Sequence, residues 1–332
     1  MIHPIVKLAA SAQPGERKYI LFAGAGLSRD AGLPTGWDLM LATAVLLRSS
    51  DDSNPSKDVE TWFQESRYAR MSYSELIGTL FPTPVEQRSF VNDKLRAKGP
   101  GDAHRLIAEL ARIGVIRCAI TTNFDELLEH ALEEAGISVQ VIANLDDLHH
   151  MEPLIHCKSF RIYKPHGTLA SGQLRNTPHD LERLSEDMEQ ELIKVMNDHG
   201  LLIVGYAGQD NSISRCFRAR KHHRYPAFWV NPKEPSAEVS ALFQTDTFHY
   251  ISCSGAGRFF KDLITTYEKI ASFVPNPGLP STVLETRNSI LAFAPEADGL
   301  VAKFMAVLDE ELALLLRTSP EEGSGMSCFF RQ

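Results

Sequence analysis

The feature that most constrains this chain is a regular alternation of short, wholly apolar segments with longer segments of helical period. YILFAG (19–24) opens the series. VIRCAITTNF (115–124), SVQVIAN (138–144), SFRIYKPHG (159–167), LLIVGYAG (201–208), PAFWVNP (226–232) and FHYISCSGAG (248–257) continue it. A strand that is apolar on both faces is buried on both faces, and such strands belong to parallel sheets covered by helices. The intervening stretches supply the helices: 38–48, 59–98 with a break at FPTP (81–84), 103–114, 125–136, 181–200 and the segment RFFKDLITTYEKI after the last strand. The pattern predicts an α/β fold with a doubly wound parallel sheet, and the chain contains no internal repeat.

Polar residues gather where these strands end. Strand one runs into GAGLSRDAGLPTGW (24–37), strand two ends in TTNFD (121–125), and strand four ends in KPHG (164–167). Strand five ends in GYAGQD (205–210) and strand six in VNPKE (230–234). In an open parallel sheet ligands bind outside the carboxyl ends of the strands, so these clusters mark one candidate site. Gly24 and Gly26 lie between a strand and a helix, the arrangement that offers backbone N–H groups to a phosphate. The dinucleotide fingerprint GxGxxG is incomplete, because Arg29 stands where its third glycine belongs. Asp51 and Asp52 have the spacing of its acidic residue but sit in a polar loop, which disfavours an ordinary hydride-transfer dehydrogenase. GxxxxGK[ST] and GxSxG are both absent, which removes support for a P-loop triphosphatase and for a serine hydrolase of the elbow type.

Composition narrows the classes further. The chain has 332 residues, 43% hydrophobic and 23% charged, with net charge −8. That balance argues against a protein that mainly grips nucleic-acid backbones. No apolar run approaches the length of a membrane span, and the amino-terminal segment lacks the basic region of a signal peptide. The five cysteines are scattered and form no CxxC pair, so neither a disulfide framework nor a structural zinc site is expected. The cytoplasm is the default compartment. His149, His150 and His156 lack a regular metal-binding pattern, and the basic run RCFRARKHHR (215–224) reads as a solvated helix end.

The set GAGLSxxxGLPxxW, TTNFD, KPHG and GYAGQD, in that order and spacing, resembles the sirtuin-like NAD-consuming family over roughly residues 18–265. The resemblance implies a Rossmann-like, sirtuin-like sheet with NAD lying across its edge as the substrate whose nicotinamide–ribose bond is broken. Gly24, Ala25, Gly26 and Ser28 would hold the diphosphate and adjoining ribose. Asn123 would orient the nicotinamide ribose and the attacking group, and Asp125 would contact the nicotinamide carboxamide. His166 would be the general base. Gly205 would approach the adenosine side, Asn231 the adenine ribose and Gly255 the adenine. A histidine takes a proton near neutral pH, and an asparagine offers donor and acceptor without charge, as this chemistry needs. Each has a plain structural reading as well: a hydrogen-bonded histidine, an asparagine capping the helix 125–136, and an acidic Asp125 in that helix's first turn. Trp37 reads as packing.

Sirtuin deacylases carry two cysteine pairs that bind zinc, and none is present here. They also usually show Phe-Arg soon after the loop proline, where this chain has Thr35, Gly36 and Trp37. The helical insertion at about 49–102 instead resembles the zinc-less bacterial branch, which looks like NAD hydrolases acting as effectors of antiphage defence. That resemblance implies nicotinamide and ADP-ribose as products, a homo-oligomer, an activating or sensor protein partner, and no direct contact with nucleic acid or membrane. The alternatives are an NAD-dependent protein deacylase and a non-enzymatic NAD or ADP-ribose sensor. The expected organisation is a catalytic domain over 1–273, then a linker, a C-terminal helix (299–317) and a flexible tail over 274–332.

Overall fold

The computed structural model describes residues 2–12, 18–50, 58–96, 99–168, 183–243 and 247–273. The chain divides into two units, 1–270 and 271–332. The expected linker, C-terminal helix and tail lie outside the described residues. The first unit contains a seven-stranded sheet of β1 (Tyr19–Ala23), β2 (Ile116–Thr121), β3 (Val139–Ile142), β4 (Phe160–Tyr163), β5 (Gly200–Val204), β6 (Ala227–Asn231) and β7 (Phe248–Ser252). Their order is β3-β4-β2-β1-β5-β6-β7, and every pairing is parallel. The expected strands are all present and form the doubly wound sheet.

Strand β1 shows why both faces need a cover. Successive side chains of a strand point to opposite faces. Tyr19, Leu21 and Ala23 join one core with the helices Pro4–Ser11, Asp102–Arg112, Leu127–Glu134 and Ala256–Phe273. Ile20 and Phe22 join a second core with the helices Glu186–Asp198 and Asn211–Ala219. The chain steps outward from β1 to β2 on one side and returns to β5 on the other. The topological switch point therefore lies between β1 and β5, where Tyr19 to Ala23 pair with Gly200 to Val204.

The helical insertion and the helix before it share a small core of Ala44, Leu47, Trp62, Phe63, Tyr68 and Leu76. It comprises Val59–Glu65, Tyr73–Leu80 and Pro84–Lys94 after the helix Gly36–Ser50. The break at 81–84 is present. A second break precedes Ser72, whose side chain and Glu75 form a capping box.

The basic run at 215–224 is not a solvated helix end throughout. Arg220 is buried, and its guanidinium donates to the carbonyls of Met196 at 2.8 Å and His199 at 2.9 Å. It thereby satisfies carbonyls at the end of Glu186–Asp198, and burial pulls its pKa down to about 10.

Candidate active site

The polar clusters converge on one cleft of about 1570 Å³ at the carboxyl edge of the sheet. Its wall includes Ala25, Gly26, Ser28, Asn123, Asp125, His166, Gly205, Asn231 and Gly255. Of the predicted site residues only Gly24 falls outside that lining, one residue behind it. The lining also includes Trp37, Met40, Arg70 and Met71 from the helical insertion and the helix before it. Trp37 is 41% exposed and meets Phe63 edge-on, so it both packs and faces the cleft.

The glycine loop is shaped first by its contact with the loop after β5. A Cβ on Gly26 would lie 2.8 Å from Gly205 Cα, and one on Gly205 would lie 2.5 Å from Leu27 N. Gly205 also has φ +66°, which side chains disfavour. The Gly24 and Gly26 N–H groups donate to Val204 O and Gly205 O at 3.0 and 2.9 Å. These two glycines thus join β1 to β5 at the switch point. The loop ends where Thr35 N and Oγ1 both donate to Asp38 Oδ2, fixing the start of Gly36–Ser50.

Ser28 is the hub behind the cleft. Its hydroxyl donates to Asp125 Oδ2 at 2.9 Å and accepts from Asn123 Nδ2 at 3.2 Å. Its third partner is His104 Nε2, 3.3 Å away and 76 residues later in the chain. Gly101 N–H donates to His104 Nδ1, so Nε2 carries the ring proton and donates to Ser28. Burial holds the His104 pKa below its ordinary value, partly offset by the charges of Asp125 and Asp30. His104 was not among the predicted site residues, because nothing in GDAHRLIAELARIG distinguishes it from a helical core position.

Asn123 does not cap the following helix. Glu126 occupies the N-cap position without a side-chain capping bond, and the Asn123 amide turns to Ser28 instead. Its Oδ1 is buried and has no hydrogen-bond partner among the described residues. Asp125 serves two roles at once: Oδ2 accepts from the Ser28 hydroxyl and Oδ1 accepts from Leu127 N–H at 3.2 Å. Behind it Lys164, from KPHG, is fully buried and donates to Asp125 O and Glu129 Oε1. Burial raises the Glu129 pKa, against the lowering effect of Lys164.

His166 is buried at the same edge. Its Nε2 lies 2.5 Å from Asp210 Oδ2, and its Nδ1 has no partner among the described residues. Asn231 donates to Tyr206 O at 2.5 Å, which ties the end of β6 to the loop after β5. Gly255 opens the helix Ala256–Phe273, where Asp30 accepts from Gly257 N–H at 2.9 Å. Among the described residues no group of three or more histidines, cysteines or acids is placed to hold a metal ion.

With this geometry in view, residues 117–251 match the family model described as the SIR2-like domain. No curated protein matches the chain. Similar solved structures include a Sir2 homolog–NAD complex, 17% identical, covering 81% of this chain and 95% of that one, with a TM-score of 0.43. Another is Sir2 bound to acetylated peptide, 14% identical, covering 79% and 96%, with a TM-score of 0.47.

Proposed function

We propose that this chain, which carries a SIR2-like domain, is an NAD hydrolase that releases nicotinamide and ADP-ribose. The observation that carries the reading is a pair of buried atoms, Asn123 Oδ1 and His166 Nδ1, both without partners among the described residues and both on residues lining one cleft. Buried polar atoms are nearly always paired, so these orphans, together with Tyr206 Oη and Trp229 Nε1 on residues of the same lining, mark where a polar ligand completes the site. The cleft exceeds the roughly 300–1,000 Å³ of drug-sized ligand sites and suits an extended dinucleotide.

Nicotinamide leaves NAD as a neutral ring, so its departure needs little acid catalysis. The glycosidic bond breaks with its electron pair passing to the ring nitrogen, and the ribose carbon takes on oxocarbenium character. Water then forms the new carbon–oxygen bond, and His166 accepts the proton that the water loses. Asn123 positions the ribose and the water through its unpaired carbonyl oxygen, since Ser28 holds the other end of the amide. Arg29 and Lys233 line the cleft and supply positive charge for the diphosphate. The sequence has no CxxC pair of the kind deacylases use to bind zinc, which supports water over an acyl-lysine acceptor. A defence role, a homo-oligomer and an activating partner belong to the same reading.

The test is NAD consumption with chromatographic separation of products, for wild type, His166→Ala and Asn123→Ala, with and without an acetylated peptide. Nicotinamide and ADP-ribose formed without peptide, and lost in both variants, support hydrolysis. Nicotinamide release that requires the peptide identifies a deacylase. Binding of NAD without turnover under every condition, including with proteins encoded beside it, identifies a sensor.

A further inference from the structure

We propose that Asp210 is the positioning residue of this site, holding His166 in the tautomer with its proton on Nε2 so that Nδ1 is the atom that receives the proton from the attacking oxygen. The assignment of Nδ1 as the base rests on the functional reading above. The tautomer itself rests on the geometry of His166 and its ionised partner, not on that reading.

Three observations converge. The first is the 2.5 Å contact between the buried His166 Nε2 and the half-buried Asp210 Oδ2, 44 residues apart. The second is that the carboxylate cannot swing away. Its other oxygen, Oδ1, accepts from Ser212 Oγ at 2.7 Å and from Ile213 N–H at 3.1 Å, which caps the helix Asn211–Ala219. Burial pushes the Asp210 pKa up, but the His166 hydrogen bond and charge, with Ser212 and Ile213, outweigh it and hold the carboxyl below its ordinary value. An ionised carboxylate only accepts, so the shared proton resides on Nε2. The third is that Nδ1 is the ring nitrogen left without a partner. A neutral imidazole with Nε2 protonated has its lone pair on Nδ1, so one ring both donates to Asp210 and accepts from the cleft. When Nδ1 takes a proton, the imidazolium is stabilised by the Asp210 charge, which stays ionised throughout.

The experiment has two parts. Long-range proton–nitrogen spectra of the imidazoles, with His166→Ala identifying the His166 signals, read the tautomer in the ligand-free full-length protein. NAD turnover by Asp210→Asn reads its consequence. Asparagine is as good a helix cap as aspartate, so a matching thermal midpoint separates positioning from folding. The expected wild-type spectrum shows Nε2 protonated and Nδ1 bare, and Asp210→Asn loses that single tautomer because an amide serves either ring nitrogen. The expected kinetics are a kcat at least ~10-fold lower with KM nearly unchanged. A proton on Nδ1 in wild type overturns the proposal, as does an Asp210→Asn variant with wild-type spectrum or wild-type kcat. Failure of wild type to cleave NAD at all removes the base role and the functional reading together, while the tautomer still stands or falls on the spectrum.

Discussion

Lys164 Nζ lies 2.6 Å from Glu129 Oε1, and both side chains are buried beneath the candidate active site. The ammonium also donates to the carbonyl of Asp125, so one cation ties the end of β4 to the start of the helix after β2. Removing one member of such a pair leaves an uncompensated buried charge. Lys164→Met should cost about 3–5 kcal/mol in denaturant unfolding. The double variant Lys164→Met/Glu129→Leu should cost less than the single one. Equal losses in both would show that the two groups do not interact.

The glycines at the switch point differ sharply from Gly78. Gly26→Ala drives a Cβ to 2.8 Å from backbone and should destabilise by about 1–3 kcal/mol. Gly78 lies inside the helix Tyr73–Leu80, where a Cβ would meet only Gln87 Nε2 at 3.8 Å. Gly78→Ala should therefore stabilise by about 0.5–1 kcal/mol. Thermal midpoints that move the same way in both variants would contradict this account.

His104 makes stability depend on pH near neutrality. Burial, offset in part by Asp125 and Asp30, places its folded-state pKa below the ordinary 6.5. The unfolded chain then binds the proton more readily than the folded one. The associated stability is complete above the unfolded pKa and is lost as pH falls through the folded one. The thermal midpoint should drop as pH falls below the ordinary histidine pKa of 6.5, and His104→Gln should flatten that drop. An unchanged slope in the variant would assign the effect to other groups.

Arg220 holds two carbonyls that have no helical partner. Arg220→Leu should cost about 1–3 kcal/mol for each carbonyl left unpaired. Arg220→Lys should recover only part of that, because an ammonium lacks the planar fork that reaches both. Equal stability of Arg220→Lys and wild type would show that charge alone suffices there.

The sheet was legible in the sequence because parallel strands are apolar on both faces and each one ends in a polar cluster. The polar clusters holding Asn123, Asp125 and His166 were legible for the same reason, because the topology brings every such cluster to one edge; the choice of these three within them came from the family resemblance. Their partners were not. Asp210 stood within GYAGQD, yet its pairing with His166 spans 44 residues and depends on the order in which β4 and β5 enter the sheet. His104 reaches Ser28 from a helix whose period gives it the look of core. Arg220 was hidden in a run of charges, because composition cannot tell a solvated guanidinium from one that caps a neighbouring helix. The second break in the insertion was readable from Ser72 and Glu75, whose spacing is that of a capping box.

The backbone contact between Gly26 and Gly205 also has a mechanical consequence. With Gly24 and Gly26 bonded to the carbonyls of Val204 and Gly205, the two halves of the sheet are riveted together at the mouth of the cleft. The floor cannot widen by splaying β1 from β5. The cleft lining also includes residues of a helical block whose packed interior is shared with the helix Gly36–Ser50. A wider cleft would therefore need that block to move, because the floor beneath it is fixed.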